Sequence, residues 1–179
     1  GLNYDLVKNG ILITSERLAA QIYNKGKTGT PQGKGYLLLK PEEALYCNHR
    51  KDIELTKEQE KIFKDNNLKH IIYHDLKERG LIVKVEKKGL RVYDRGSEVK
   101  GQASAITFAK KFDNAIDFVD IFKEIDLNLK RRVQIAIIDS ENDVVYYVIK
   151  IVEWPATKLK ENSITTITDK EIKELIDKG

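Results

Sequence analysis

Methionine is absent from the 179 residues, and cysteine occurs only once, at Cys47. A single thiol excludes an internal disulfide and fits a reducing, cytoplasmic setting. No stretch approaches the roughly 18 to 20 apolar residues of a membrane span, so no membrane partner is expected. No secretory leader is read at the start, although the chain begins with Gly1. Internal repeats and low-complexity segments are also lacking.

Charge is plentiful. Lys, Arg, Asp and Glu make up 34% of the chain, which suits a heat-adapted source, though an AT-rich genome would enrich lysine as well. The net charge of +4 and a pI near 8.9 favour polyanionic partners, but Lys and Glu are interspersed, so charge alone does not mark RNA binding. Apolar residues, at 41%, suffice for a core in one medium domain or two small ones.

The first third reads as a small α/β unit. Residues 4 to 13 (YDLVKNGILI) form two short strands around Asn9-Gly10. Thr14 and Ser15 offer caps for a helix with Leu18, Ala19 and Ile22 on its apolar face, ended by Gly26. The glycine-rich stretch from Gly26 to Gly35 is a loop. Its Gly26-Lys27-Thr28 triplet suggests a phosphate-binding loop, yet Gln21 stands where the first glycine is required and a helix precedes the triplet. A plain connection is expected. Leu37 to Leu39 make a short apolar run, Pro41 opens a helix, and Thr56 with Gln59 forms a capping box for another. Asp65-Asn66-Asn67 then marks a break. The expected organisation is an N-terminal unit over residues 1–66, a second over 67–155, and a C-terminal tail with a short helix over 156–179.

In the second unit, Leu68, Ile71, Ile72 and Leu76 share one helical face, and His70, His74 and Lys77 share another. Histidines four apart can chelate a metal, but no third ligand is evident in the sequence, and solvent-facing histidines are expected instead. In YCNHRK, Cys47 reads as a buried thiol and His49 as a surface imidazole. Strands are expected over 81–85, 90–93, 105–108, 133–138 and 144–152, with a helix over 115–126. The fold class is mixed α/β (α+β), with a central mixed sheet flanked by helices.

The order LKHIIYHDLKERGLIVKV, GLRVYDRG, IAIIDSENDVVYYVI resembles the C-terminal domain of the archaeal tRNA-intron (tRNA-splicing) endonucleases. That family cleaves RNA with a tyrosine, a histidine and a lysine, without metal or cofactor. The resemblance places the tyrosine at Tyr93 through RVYDRG, the histidine position at Ala103 and the lysine position at Arg131. Cleavage through the 2′-hydroxyl needs a base, an acid and a cation beside the phosphorane. A methyl group supplies none of these, and arginine does not reproduce a lysine's point charge. The segment before Tyr93, KKGLRVY, also lacks the small-residue and aspartate-phenylalanine pattern usual there. The resemblance therefore implies a non-catalytic subunit that assembles with a catalytic paralogue on precursor tRNA, with Lys130, Arg131 and Arg132 available to phosphate.

Asp139-Ser140-Glu141-Asn142-Asp143 is an ordinary polar turn by composition. In the resembled family an acidic loop at this place enters a basic cleft of another subunit, which matches it to Asp139, Glu141 and Asp143. The following strand, with Val144, Val145, Tyr146, Tyr147, Val148 and Ile149, is apolar on both alternations and suits burial by a partner. An α2β2 heterotetramer is implied. Two alternatives stay open: an active enzyme in which Tyr93 works with Lys100, Arg131 or a displaced histidine, or in which residue 103 was changed from histidine; and a free-standing RNA-binding or interaction module.

Overall fold

The computed structural model describes residues 3–96, 103–112 and 132–149. They form two sheets joined through helices, a mixed α/β arrangement as expected. The helix expected over 115–126 and the C-terminal tail lie outside the described residues.

The first sheet has the order β1-β2-β4-β3. Strands β1 (Tyr4–Val7) and β2 (Gly10–Ile13) pair antiparallel with Val7 opposite Gly10, so the turn is Lys8-Asn9 and Gly10 is already in the strand. Asn9 takes φ +63°. Gly10 has φ +155°, and a Cβ there would lie 2.2 Å from the Leu39 carbonyl oxygen, so only glycine lets β2 approach its neighbour. β3 is Thr30–Pro31 and β4 is Leu37–Leu39.

Helix α1 (Glu16–Asn24) starts where Ser15 accepts the Leu18 N–H, leaving Ala19 and Ile22 buried against the sheet. Helix α2 (Pro41–His49) opens on Pro41, whose missing N–H costs nothing in a first turn. Helix α3 (Lys57–Lys64) begins with the reciprocal Thr56–Gln59 box. Tyr4, Ile11, Ile13, Ile22, Leu37, Leu39 and Ala44 build the first core.

Helix α4 (Lys69–Glu78) leads to the second sheet, β5 (Ile82–Val85), β6 (Leu90–Tyr93), β7 (Ala105–Lys111), β8 (Arg132–Ile138) and β9 (Val144–Ile149), in that spatial order. All neighbours are antiparallel except β7 and β8, which run parallel. β8 is buried on both faces from Ile135 to Ile138, which explains its unbroken apolar run. One face packs on α4 through Ile72, Tyr73 and Leu76; the other gathers Phe108, Val133, Ile135 and Ile137. Each fully buried Ile or Leu contributes roughly 1.5–3 kcal/mol.

The buried stripe of α4 is rotated from the expected one. It consists of Ile72, Tyr73, Leu76 and Lys77, while Leu68 and Ile71 are half-buried. Lys77, expected on the solvent face, is 7% exposed. Its ammonium donates to the Gly26 carbonyl at 2.8 Å. The loop from Gly26 is therefore more than a connection. Lys84 donates to the Lys27 and Gly29 carbonyls at 2.6 and 2.8 Å, Glu43 accepts the Gly29 N–H at 2.6 Å, and Lys40 reaches back to the Val85 carbonyl at 2.6 Å. These contacts tie the loop to α2, α4 and β5.

Candidate active-site positions and the acidic turn

The strand directions gather three chain positions at one edge of the second sheet. β6 ends on Tyr93, while β7 begins at Ala105 and β8 at Arg132. Because β6 is antiparallel to β7 and β7 is parallel to β8, these three ends lie together. Arg132 stands opposite Ala105 and is exposed. Lys100, Lys130 and Arg131 lie outside the described residues.

Ala103 is fixed beside Tyr93 by the backbone. The Ser104 N–H donates to the Val92 carbonyl at 2.9 Å, and Ile82, Tyr93 and Ala103 close into a small apolar cluster. Tyr93 is 1% exposed and Ala103 4%. The structure thus brings two of the sequence-assigned positions into one place, and that place is packed. The alanine methyl offers no proton, and the tyrosine ring serves as core.

At the opposite end of β8 the acidic turn has its own internal logic. One Asp139 carboxylate oxygen accepts the Glu141 N–H at 2.8 Å and the Asp143 N–H at 2.9 Å. Asn142, with φ +63°, completes the reversal, and its N–H donates to the Asp139 carbonyl at 3.1 Å. Asp139 therefore shapes the turn, whereas Glu141 and Asp143 project from it as exposed carboxylates.

β9 is the edge of the described sheet, paired only with β8. Its residues are half-buried except Val145, which is 52% exposed. Tyr146 is engaged within the chain: its hydroxyl donates to Asp75 of α4, and the Arg79 guanidinium lies 5.1 Å from its ring centre. Burial, with Asp75 beside it, raises the Tyr146 phenol well above its usual range. Tyr147 and Ile149 pack on the other face. Val144 lies on the α4 side with Tyr146, and Val148 sits opposite Gln134.

The histidines are arranged differently from their sequence spacing. His74 does not act with His70; its ring meets that of His49 edge to face at 4.5 Å, and His49, although exposed as expected, stands at the end of α2. Cys47 is buried, and burial pushes its thiol up to about 12.

Residues 3–68 match the family model of the tRNA intron endonuclease N-terminal domain. The motif resemblance falls on the other part of the chain, so the two observations cover different residues. The chain belongs to the tRNA-intron endonuclease family. It is similar to the tRNA-splicing endonucleases of Methanococcoides burtonii, at 30% identity over 82% of this chain and 45% of that protein, and of Methanosarcina barkeri, at 28% over 80% and 45%. It is also similar to that of Pyrococcus abyssi, at 29% over 86% of this chain and 96% of the relative. The chain thus spans less than half the length of the first two relatives and nearly all of the third. None of its described residues forms a helix long and apolar enough to cross a membrane. Within this endonuclease family the sequence left two features unseen: the lysine-to-carbonyl bonds between the two sheets, and the meeting of His49 with His74. Neither pair is close in sequence, so no local pattern reveals them.

Proposed function

We propose that the chain is the structural, non-catalytic subunit of a tRNA-intron endonuclease, which joins a catalytic paralogue in an α2β2 heterotetramer in the cytoplasm. The assembly excises introns from precursor tRNA at bulge-helix-bulge sites and leaves 2′,3′-cyclic phosphate and 5′-hydroxyl ends. The observation that carries this reading is the packing of the Ala103 methyl against the buried Tyr93 ring. A site for phosphoryl transfer needs a positioned proton carrier in reach of substrate, and neither residue is one. The units 1–66, 67–155 and 156–179 divide the work on this reading: the first two form the body and the third extends it.

Assembly rests on the second sheet. Glu141 and Asp143 are presented to a basic cleft of the partner, and the β9 edge, with Val145 outward, offers backbone to a second strand. Arg132, with Lys130 and Arg131 beside it in sequence, contacts RNA phosphate. The test mixes the purified chain with its catalytic paralogue and an intron-containing precursor tRNA. Each protein alone is expected to be inert and the mixture to cut at both junctions. Metal-independent cutting by the lone chain would overturn the reading.

A further inference from the structure

Helices α2 and α4 pack side by side, and their C-terminal ends hold three metal-type donors. His49 closes α2; His74 and Glu78 lie one turn apart on α4, with Glu78 its last residue. The donor atoms all lie within 4.8 Å of one another, and His74 Nε2 is 4.0 Å from the Glu78 carboxylate. We propose that His49, His74 and Glu78 bind a divalent transition-metal ion, zinc in the first place, which ties the end of α2 to the end of α4.

The chemistry of the set selects the ion. Two imidazoles and one carboxylate suit zinc, cobalt or nickel, whereas magnesium and calcium take oxygen donors. A tetrahedral ion with bonds near 2.0–2.1 Å holds its donors about 3.3 Å apart. Rotation of these exposed and half-buried side chains by about 1 Å each closes that gap. Three protein donors leave a fourth position for water.

The surroundings favour a cation. Both donor-bearing ends are helix C-termini, the negative pole of the helix. The nearby guanidinium groups are already matched: Arg50 pairs with Asp52 at 2.7 Å and Arg79 with Asp75 at 3.0 Å. Tyr46 stands behind the set, its ring edge to face with that of His74 at 5.5 Å. His70, four residues before His74, lines the same cleft but is not among the converging donors. The role is structural: an ion here joins an element of the N-terminal unit to one of the second unit, and it stabilises the fold in proportion to its binding. This inference does not rest on the RNA-processing reading, and its test contains no RNA.

The test uses the untagged full chain, stripped with a chelator and titrated with zinc chloride, and then with cobalt to read its visible absorption. One-to-one binding is expected, together with a thermal midpoint that rises with zinc concentration. His49→Ala and His74→Ala should each weaken binding at least tenfold and remove the zinc-dependent rise, with metal-free midpoints unchanged; His70→Ala should alter neither. The chain has three histidines, so the wild type gives a reading without any variant: zinc should shift the imidazole proton resonances of His49 and His74 and leave those of His70 in place. No binding at micromolar zinc would overturn the proposal. So would binding that survives His49→Ala and is lost in His70→Ala, because that result assigns the ion to the pair within α4.

Discussion

The Lys77 ammonium lies 2.8 Å from the carbonyl oxygen of Gly26, across 51 residues of sequence. Gly26 itself has φ +113°, and a Cβ there would stand 2.9 Å from the same nitrogen. Burial, with Arg50 and Lys84 nearby, pulls the Lys77 ammonium from 10.5 down to about 8. Between those two values the unfolded chain keeps a proton that the folded chain has released, so stability rises with pH across that window and is lowest on its acid side. Lys77→Met leaves the Gly26 carbonyl without its donor and should cost about 1–3 kcal/mol near pH 7. Urea unfolding of both proteins from pH 7 to 10.5 checks this. The wild type should gain stability relative to the variant as pH rises, and a constant difference would refute the assignment.

Glu43 is the acceptor counterpart. Its carboxylate takes the N–H groups of Gly29 and Lys40, at 2.6 and 3.1 Å, from a buried position. Burial raises its pKa above 4.5 despite those bonds. Between the unfolded and the folded value the folded chain holds a proton that the unfolded chain has lost, so the Glu43 contribution declines as pH climbs through that window. Glu43→Gln turns an amide N–H toward one of two backbone donors and should cost about 1–3 kcal/mol at pH 7. Chemical denaturation at that pH measures it, and no change would show that the carboxylate is dispensable.

Tyr93 separates a core role from a catalytic one. Tyr93→Phe keeps the ring that fills the cluster with Ile82 and Ala103, so cleavage by the mixed enzyme should stay within a factor of two or so, since no proton transfer is assigned to that hydroxyl. Tyr93→Ala opens a cavity and should cost about 3–5 kcal/mol. Ala103→His overfills the same space and should cost about 1–3 kcal/mol without giving the lone chain activity. A hundredfold drop in the mixture with Tyr93→Phe would return that residue to the chemistry.

The acidic turn must be probed with its geometry in mind. Asp139→Ala removes the acceptor of two turn N–H groups and should destabilise the hairpin by about 1–3 kcal/mol whether or not a partner is present. Glu141→Gln with Asp143→Asn removes two exposed charges and spares the turn. That double change should leave the thermal midpoint of the isolated chain unaltered while slowing association with the paralogue by tenfold or more at low salt. Analytical ultracentrifugation and stopped-flow mixing read both effects, and unchanged assembly would remove the insertion model.

Signals in the sequence are legible where the physics is local. Ser15, Thr56 with Gln59, and Pro41 each mark a helix start because the bonds they make or omit lie within four residues. The Asp139 turn is legible for the same reason. The burial of Lys77 is not legible locally, because its carbonyl partner Gly26 lies far away in the chain. The helical spacing pairs His74 with His70, whereas the ring that His74 meets, His49, arrives on another helix. Tyr93 illustrates a different limit: one tyrosine at a strand end serves as nucleic-acid chemistry or as packing, and only its burial tells them apart.

The parallel pairing of β7 with β8 puts a seam through the middle of the second sheet. On one side β5, β6 and β7 follow one another as a meander, and on the other β8 and β9 form a hairpin, so each ribbon pairs strands that are consecutive in the described chain. Across the seam, Ala105 meets Arg132, 27 positions on, and that long-range encounter is the slow one. Refolding is therefore expected to be limited by docking across the seam, the step that brings the edge offered by β9 into the sheet.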